Sequence, residues 1–382
     1  MCGGVVADEV VIVGAGPAGL ACAAALRARG QASIILEATD SIAASWHGHY
    51  DRLHLHTSKA HSFLPGRPMP VNFPRYPSRL QVIEYLEEYA RAQELEIRLH
   101  KRVTFVQRAG DWAIGNHDGE QYHASNVIVA TGLSHTPVKP RWAVETSFAG
   151  TVMHSSEYRN AASLNVRKVL VVGFGNSAGE IALECASAGL DVAMSVRGPV
   201  NVVPRELLGM PSATIAIAQR HLPPRLVDAC NAPLLRLRYR DLASLGLRRA
   251  DRGPLATMVE RGRTPLIDIG TIAAIRRGDI KVFPAIAGLA GSTVQFEDGQ
   301  SLDCDAIVLA TGYIPALDRV LPDISSMFPG TSRPQRGDLH PHGDGLYFCG
   351  FNPATTGLLR QIGIEAEAIA GSISSRVRSV RP

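Results

Sequence analysis

Two short stretches of this chain space their glycines in the way that lets a backbone hold phosphate. The first is GAGPAG, with Gly14, Gly16 and Gly19, and the second is GFGNSA, with Gly173, Gly175 and Ala178. In such a stretch the first glycine allows a tight turn and the second lets the backbone approach a pyrophosphate. The third, which alanine can replace, lets helix and strand pack closely. The chemistry is binding, because the unpaired N–H groups and positive dipole at a helix start attract a dinucleotide's phosphates. Glu37, about twenty residues past the first glycines, stands where an acid meets a ribose hydroxyl. Past the second set no acid closes the strand; Arg197 stands near its end instead. An acid there would repel a 2′-phosphate, whereas an arginine pairs with it, so NADPH is preferred to NADH. Asn176 and Ser177 open the second helix, either as donors to the NADPH pyrophosphate or as helix caps.

The elements that must position these residues are legible around them. Val10 to Val13 is a β-branched run suited to a buried parallel strand, an alanine-rich helix follows to Gly30, and the strand ASIILE ends at Glu37. KVLVVGFGNSAGEIALECASAGLDVAMSVR (168–197) repeats the order strand, glycines, helix, strand. Two dinucleotide sites in one chain suggest a flavoprotein that passes hydride from NADPH to FAD, with FAD at the first fingerprint. VIVATGLSHTP (127–137) and IVLATGYIP (307–315) each read as a strand followed by ATG, and GLYFCGFNPATTGLLRQIGIEAEAIAGSI (345–373) reads as strand, glycine turn and helix. The expected fold is α/β with two Rossmann-like domains. Residues 1–160 begin a discontinuous FAD domain, 161–304 form an inserted NADPH domain with a helical insertion, and 305–382 return to the FAD domain. Between the fingerprints lies FAGTVMHSSEYRN, in which Gly150 would permit a sharp crossing. His154 and Tyr158 would share a face if that segment were helical.

Composition narrows the function classes. With 46% hydrophobic and 19% charged residues, the 382-residue chain can build large cores and is not disordered. A net charge of +4 is too diffuse to argue for nucleic acid. The run VVIVGAGPAGLACAAAL is long enough for a membrane span, but its glycines and proline mark strand, turn and helix. Cysteines at 2, 22, 185, 230, 304 and 349 form no CxxC, no zinc spacing and no disulfide framework, which fits a reducing, cytoplasmic setting. Five histidines crowd HGHYDRLHLHTSKAH (47–61) with only Asp51 beside them, so no metal is expected and a cavity lining is. FLPGRPMPVNFPRYP (63–77) reads as a rigid loop, and Ser78 caps a helix over 78–95. The tail SSRVRSVRP is expected to fray.

GAGPAG, FAGTVMHSSEYRN, GFGNSAGE and LATGY together resemble the class B flavin-containing monooxygenases, whose identifying motif is F-x-G-x-x-x-H-x-x-x-Y. Within that family the chain is most similar to the YUCCA-type, indole-3-pyruvate monooxygenase branch. YDRLHLHTSK (50–59), VRGPVNVVPRELLG (196–209) and TPLIDIGTIAAIRRGDIKV (264–282) carry that similarity. The resemblance implies NADPH reduction of FAD, oxygen addition to give a C4a-(hydro)peroxyflavin, and transfer of one oxygen atom to a small-molecule substrate. It implies that His56 and Thr57 lie beside the flavin, that Trp46 contacts it after an altered glycine pair (Ala43-Ala44), and that Val103 meets the FAD adenine through its backbone. Lys59 would meet a cofactor phosphate or a substrate carboxylate, or only solvent. The motif residues Gly150, His154 and Tyr158 would couple domain position to NADP retention rather than supply a base. Indole-3-pyruvate is the leading substrate. N- or S-oxygenation, Baeyer–Villiger-like attack on another small molecule, a two-dinucleotide flavin reductase and a non-enzymatic binding module are the rivals.

Overall fold

The computed structural model describes residues 6–144, 148–328, 334 and 345–380. The chain divides into two units. One comprises Met1–Gly48, Ser58–Thr136 and Tyr313–Pro382, and the other His49–Thr57 and Pro137–Gly312.

The first unit is built on a seven-stranded sheet. Strands Glu96–Arg98, Ile34–Leu36, Val6–Val13 and Gln121–Val129 lie side by side and parallel. The far edge of Gln121–Val129 is shared by two partners. Its first half pairs antiparallel with Asp111–Asn116, which turns back to Val103–Ala109, and its second half pairs parallel with Leu346–Phe348 from the chain's return. Side chains alternate across the pleat. Val11, Val13, Val127 and Val129 face a core with Leu321 and Phe351, while Ile12 faces the helix Pro17–Arg27. The final helix, Leu358–Val380, packs on that same helix and takes in the tail that sequence alone left frayed as far as Val380. Helix Arg79–Ala92 starts at a full capping box, in which the Ser78 side chain accepts from Gln81 N and the Gln81 side chain accepts from Ser78 N. Such a box is worth about 1 kcal/mol. Tyr85 and Tyr89 of this helix donate to the carbonyls of Arg67 and Pro65 at 2.7 Å, which pins the proline-rich loop.

The second unit carries a five-stranded, all-parallel sheet in the order Ile280–Phe283, Asp191–Ser195, Lys168–Val172, Ala306–Leu309, Thr151–His154. Val169 and Val171 face helix Asn176–Ser187. Leu170, Ile307 and Leu309 face Val294 and Phe296 of a three-stranded antiparallel sheet. Helices Ser212–Ala218, Pro224–Arg238 and Pro254–Arg261 lie in the chain between strands Asp191–Ser195 and Ile280–Phe283, as a helical insertion.

The units divide at 136/137 and 312/313, not at 160/161 and 304/305. The linking segment explains the difference, because Thr151–His154 is the edge strand of the second sheet, paired with Ala306–Leu309. That segment is a strand and a turn rather than a helix, so His154 and Tyr158 do not share a helical face. Gly150 is required by crowding rather than by a turn torsion. A Cβ there would lie 2.2 Å from the Asp305 carbonyl oxygen.

Candidate cofactor sites

Each unit holds one glycine cradle, and the two are built alike. In the first, Gly14 N donates to Leu36 O and Ala130 N to Val13 O, so the turn sits between the two neighbouring strands. Gly14 has φ +108°, and a Cβ on it would lie 2.8 Å from Ala130 O. A Cβ on Gly19 would lie 1.9 Å from Gly14 O. In the second cradle, Gly173 N donates to Ser195 O and Ala310 N to Val172 O. Gly173 has φ +127°, and its Cβ would lie 2.5 Å from Ala310 O. The two ATG segments therefore have a geometric purpose: the alanine carbonyl of each presses on the first glycine of a fingerprint, a contact that only glycine at that position permits.

The second glycine of each cradle behaves differently. Among the described residues, chain neighbours aside, nothing lies within 4 Å of a Cβ built on Gly16 or on Gly175. Both residues are helix N-caps with no side-chain cap, so each helix presents its first-turn N–H groups to that open space. An anion of phosphate size fits there. In the first cradle the buried Thr131 Oγ1 has no hydrogen-bond partner among the described residues. Its Cα lies 3.5 Å from a Gly14 Cβ position, so a polar ligand at this cradle would satisfy an otherwise orphaned hydroxyl. Sequence reasoning marked the ATG run but did not assign Thr131 a role.

Glu37 is 8% exposed, and its carboxylate is fixed by Ala15 N at 2.8 Å and by Thr39 N and Oγ1 at 3.0 and 2.9 Å. It thus stands at the glycine turn itself. The hydrogen bonds of Gly14 and Gly173 make Leu36 and Ser195 equivalent, so the counterpart of Glu37 is the apolar Val196, and Arg197 comes one residue later. Arg197 is exposed and makes no ion pair among the described residues. Val103 starts an outer strand, with its side chain in the core beside Leu36, and Lys101 N nearby donates to Glu37 O. Trp46 is half-buried in a short helix after Ala43, which takes φ +56° and donates to Ala15 O. Glu365 anchors the chain's return, accepting from Gly350 N at 2.9 Å and Asn352 Nδ2 at 2.9 Å.

Other expected site residues have different duties. Asn176 Oδ1 accepts from Ile267 N at 2.8 Å, which ties the second helix to strand Leu266–Asp268, and the helix has no side-chain cap. Ala178 is wholly buried behind the turn. Lys59 spends its ammonium on the carbonyls of Pro70, Val71 and Phe73, so neither the phosphate nor the carboxylate role holds for it. His154 is fully buried. Its Nδ1 accepts from Ser156 N at 3.1 Å, which leaves Nε2–H to donate to Gly312 O at 3.1 Å. Burial lowers its pKa, so it is a neutral structural imidazole with both nitrogens engaged. Tyr158 is also fully buried and donates to Glu184 Oε2 at 2.7 Å.

His56 and Thr57 fall in the short segment that packs with the second unit. Asp51 N donates to Arg159 O, Asn160 Nδ2 to Asp51 Oδ2, and Arg159 Nη1 to His49 O. His56 Nε2 lies 2.9 Å from Oε1 of Glu180, a carboxylate only 2% exposed. The distance is that of an ion pair, without the alignment of a hydrogen bond. The Tyr50 hydroxyl joins this cluster, and burial followed by the Glu180 charge raises its pKa well above the usual range, against a hydrogen bond to Ser177 that lowers it. Glu180 and Tyr50 were missed from sequence. The signal was an acid set among Ala178, Ile181 and Ala182 on the buried face of a helix. The histidines of this region disperse to separate partners, His54 to Arg52 O and His47 to Glu87. Among the described residues no three metal-ligating side chains converge.

Residues 11–206 match the family described as pyridine nucleotide-disulphide oxidoreductase. The chain is 39% identical to indole-3-pyruvate monooxygenase YUCCA1 of Oryza sativa subsp. japonica over 89% of its own length and 86% of that protein's. It is 40% identical to indole-3-pyruvate monooxygenase YUCCA6 of Arabidopsis thaliana, over 79% and 75% of the two chains. The chain belongs to the YUCCA family of flavin monooxygenases. A flavin-containing monooxygenase from Stenotrophomonas maltophilia shares its fold, with a TM-score of 0.72 at 23% identity over 97% of this chain and 99% of that one. This YUCCA-family chain is thus a monooxygenase with FAD and NADPH as cofactors. The open helix starts, the orphaned Thr131 hydroxyl and the acid at Glu37 fit them. Among the described residues no helix is long and apolar enough to cross a membrane.

Proposed function

We propose that this chain oxidises indole-3-pyruvate. NADPH, a proton, O2 and the keto acid are consumed, and indole-3-acetate, CO2, NADP+ and water are released. The observation that supports this substrate is the 39% identity, spread over 89% of the chain, to a relative named for it. In this reading the first unit holds FAD and the second NADPH. Bound flavin supplies a two-electron path from NADPH to O2. The protein's part is to hold and orient. The backbone at Gly16 and the helix behind it hold the FAD pyrophosphate, and Glu37 accepts from a ribose hydroxyl. Gly175 and its helix do the same for NADPH, with Arg197 on the 2′-phosphate. His154 moves no proton, since both its nitrogens are bonded within the fold.

Thiol–disulfide chemistry, which the matched family description brings to mind, is disfavoured. Cys22 and Cys349 are neighbours but wholly buried, and the Cys22 hydrogen bond together with burial pushes the Cys349 thiol pKa up, away from a reactive thiolate. Among the described residues four free cysteines are buried and Cys230 is exposed, all without a disulfide, which supports the reading of a reducing, cytoplasmic setting. The test is NADPH-dependent oxygen uptake with and without indole-3-pyruvate, with product and peroxide measured together. Indole-3-acetate formed in step with NADPH loss is the expected result. Peroxide alone would reject this substrate and turn the search to amines, sulfides and other ketones.

A further inference from the structure

The second cradle has a neighbour that the fingerprint does not predict. Past the strand Asp191–Ser195 the chain runs through Arg197 to Val200, and there it meets a segment of the helical insertion that lies between helices Pro224–Arg238 and Pro254–Arg261. Val200 N donates to Arg248 O at 2.8 Å and Ala250 N to Val200 O at 3.0 Å, so residues around 249 run parallel to those around 200. Gly246, at the start of this segment, packs over the end of strand Ile280–Phe283. A Cβ on it would lie 3.5 Å from Val282 Cγ1. This docking puts the Arg248 guanidinium on Arg197, with Nη2 donating to the Arg197 carbonyl at 3.2 Å. Arg248 also lines a cavity of about 460 Å³. The floor of that cavity is the buried pair Leu242 and Leu247, its rim carries Arg240 and Arg249, and no acid lines it.

Charge pairing separates these arginines from their neighbours. Arg276 is neutralised by Asp241 and Arg252 by Glu260. Arg197 and Arg248 are both exposed and neither has an acidic partner among the described residues. One of the two guanidinium groups is held against the backbone of the other residue, and two arginines this close to one strand end can share an anion through charge-assisted hydrogen bonds. They stand beyond the carboxyl ends of strands Asp191–Ser195 and Ile280–Phe283 of a parallel sheet, where this kind of fold binds nucleotides. Val196, in place of an acid, leaves nothing to repel a dianion.

We propose that Arg248 is a second specificity-determining residue for NADPH, clamping the 2′-phosphate together with Arg197. The inference rests on the reading that the second cradle takes NADPH. It assigns to the helical insertion a part in choosing the cofactor, since that insertion delivers Arg248 to the strand end.

The test titrates 2′,5′-ADP and 5′-AMP by calorimetry onto the full-length FAD-loaded protein, its Arg248→Ala and Arg248→Lys variants, and Arg197→Ala. Arg248→Ala is expected to weaken 2′,5′-ADP roughly tenfold while leaving 5′-AMP unchanged, as for loss of one charge-assisted contact. Arg248→Lys should recover part of that loss, since it restores charge without the planar fork. In turnover, the KM for NADPH should rise by a similar factor while kcat and the KM for NADH hold. If Arg197→Ala discriminates the two nucleotides and Arg248→Ala does not, the inference fails and the cofactor reading stands. If neither variant discriminates them, the assignment of the 2′-phosphate to this strand end fails, and the inference with it. Equal weakening of both nucleotides by Arg248→Ala would also overturn the inference, because it would show a loss of shape rather than of phosphate recognition.

Discussion

Gly16→Ala and Gly19→Ala change adjacent glycines of one cradle by one methyl group each, and they should fail in different ways. At Gly16 the backbone has φ −79° and ψ −177°, which alanine adopts freely, and the new Cβ would meet nothing within 4 Å among the described residues beyond its chain neighbours. Alanine is a poorer N-cap than glycine by roughly 0.5–1 kcal/mol. It also restricts the unfolded chain, which returns roughly 0.4–1 kcal/mol. The fold should therefore be unchanged to within about 1 kcal/mol, a shift of roughly 2–4 °C for a domain of this size. The methyl does occupy the space in which a pyrophosphate approaches the helix start. Displacing the phosphate from one or two charge-assisted N–H bonds costs about 1.5–3 kcal/mol each. FAD affinity should thus fall by roughly ten- to several-hundred-fold or more. At Gly19 the Cβ would lie 1.9 Å from the Gly14 carbonyl oxygen, which is backbone and cannot step aside. The helix must lift from the strand, at a cost of roughly 1–3 kcal/mol or more. The assay is the flavin-to-protein absorbance ratio after desalting, paired with thermal melts of apo-protein. Gly16→Ala should be colourless with a wild-type apo melt, and Gly19→Ala colourless with a lowered one. A yellow Gly16→Ala protein with full FAD occupancy would refute the assignment of that open space to the pyrophosphate.

Three further perturbations separate structural from functional roles. Glu180→Ala strands His56 beside an emptied, buried site and should cost about 3 kcal/mol, with Glu180→Gln milder because it keeps the shape. A cycle with His56→Asn should give a coupling of about 2 kcal/mol by urea unfolding, and additive effects would show that the 2.9 Å contact is not energetic. His154 is buried neutral with a lowered pKa, so the unfolded chain binds its proton more readily than the native fold does. Its contribution should be intact above about pH 6.5 and be lost as pH falls below it, and His154→Asn should flatten that part of the stability–pH curve. Lys59→Met removes three backbone contacts of the proline-rich loop. It should lower the melting temperature by a few degrees, about 1 kcal/mol, while leaving the KM for NADPH and keto acid unchanged. A raised KM would return Lys59 to the site.

What could be read in advance follows from where the constraint lives. Both cradles were visible because their residues answer to the backbone close by: Gly14 and Gly173 need positive φ, and Gly19 needs to be small. The strands beside them alternate or run apolar for the same local reason. The linking motif was visible as residues but not as structure. The spacing of His154 and Tyr158 suits a helix turn, and only the pairing of Thr151–His154 with Ala306–Leu309, a partner distant in the chain, makes it a strand. The segment His49–Thr57 was not legible at all. Its placement depends on Asp51 finding Asn160, and on His56 and Tyr50 finding Glu180. Those polar partnerships leave no periodicity in the sequence. Lys59 shows the same limit, since a lysine among histidines looks free for a phosphate until a loop curls three carbonyls around it.

The duplication of the cradle narrows where cofactor identity can be decided. Leu36 and Ser195 accept from the first glycines, Ala130 and Ala310 press on them, and Gly16 and Gly175 leave the same open space. None of these contacts distinguishes FAD from NADPH, because each addresses a feature that both dinucleotides share. For a 2′-phosphate, what differs is at the strand ends: a buried, doubly anchored acid at Glu37 against an apolar Val196 followed by Arg197. An acid fixed by Ala15 N and Thr39 cannot swing away from a 2′-phosphate, so the first cradle excludes one by charge. The second cradle lacks that acid and admits one. Whether a cradle of this kind admits a 2′-phosphate can therefore be changed at the strand ends with every glycine left in place.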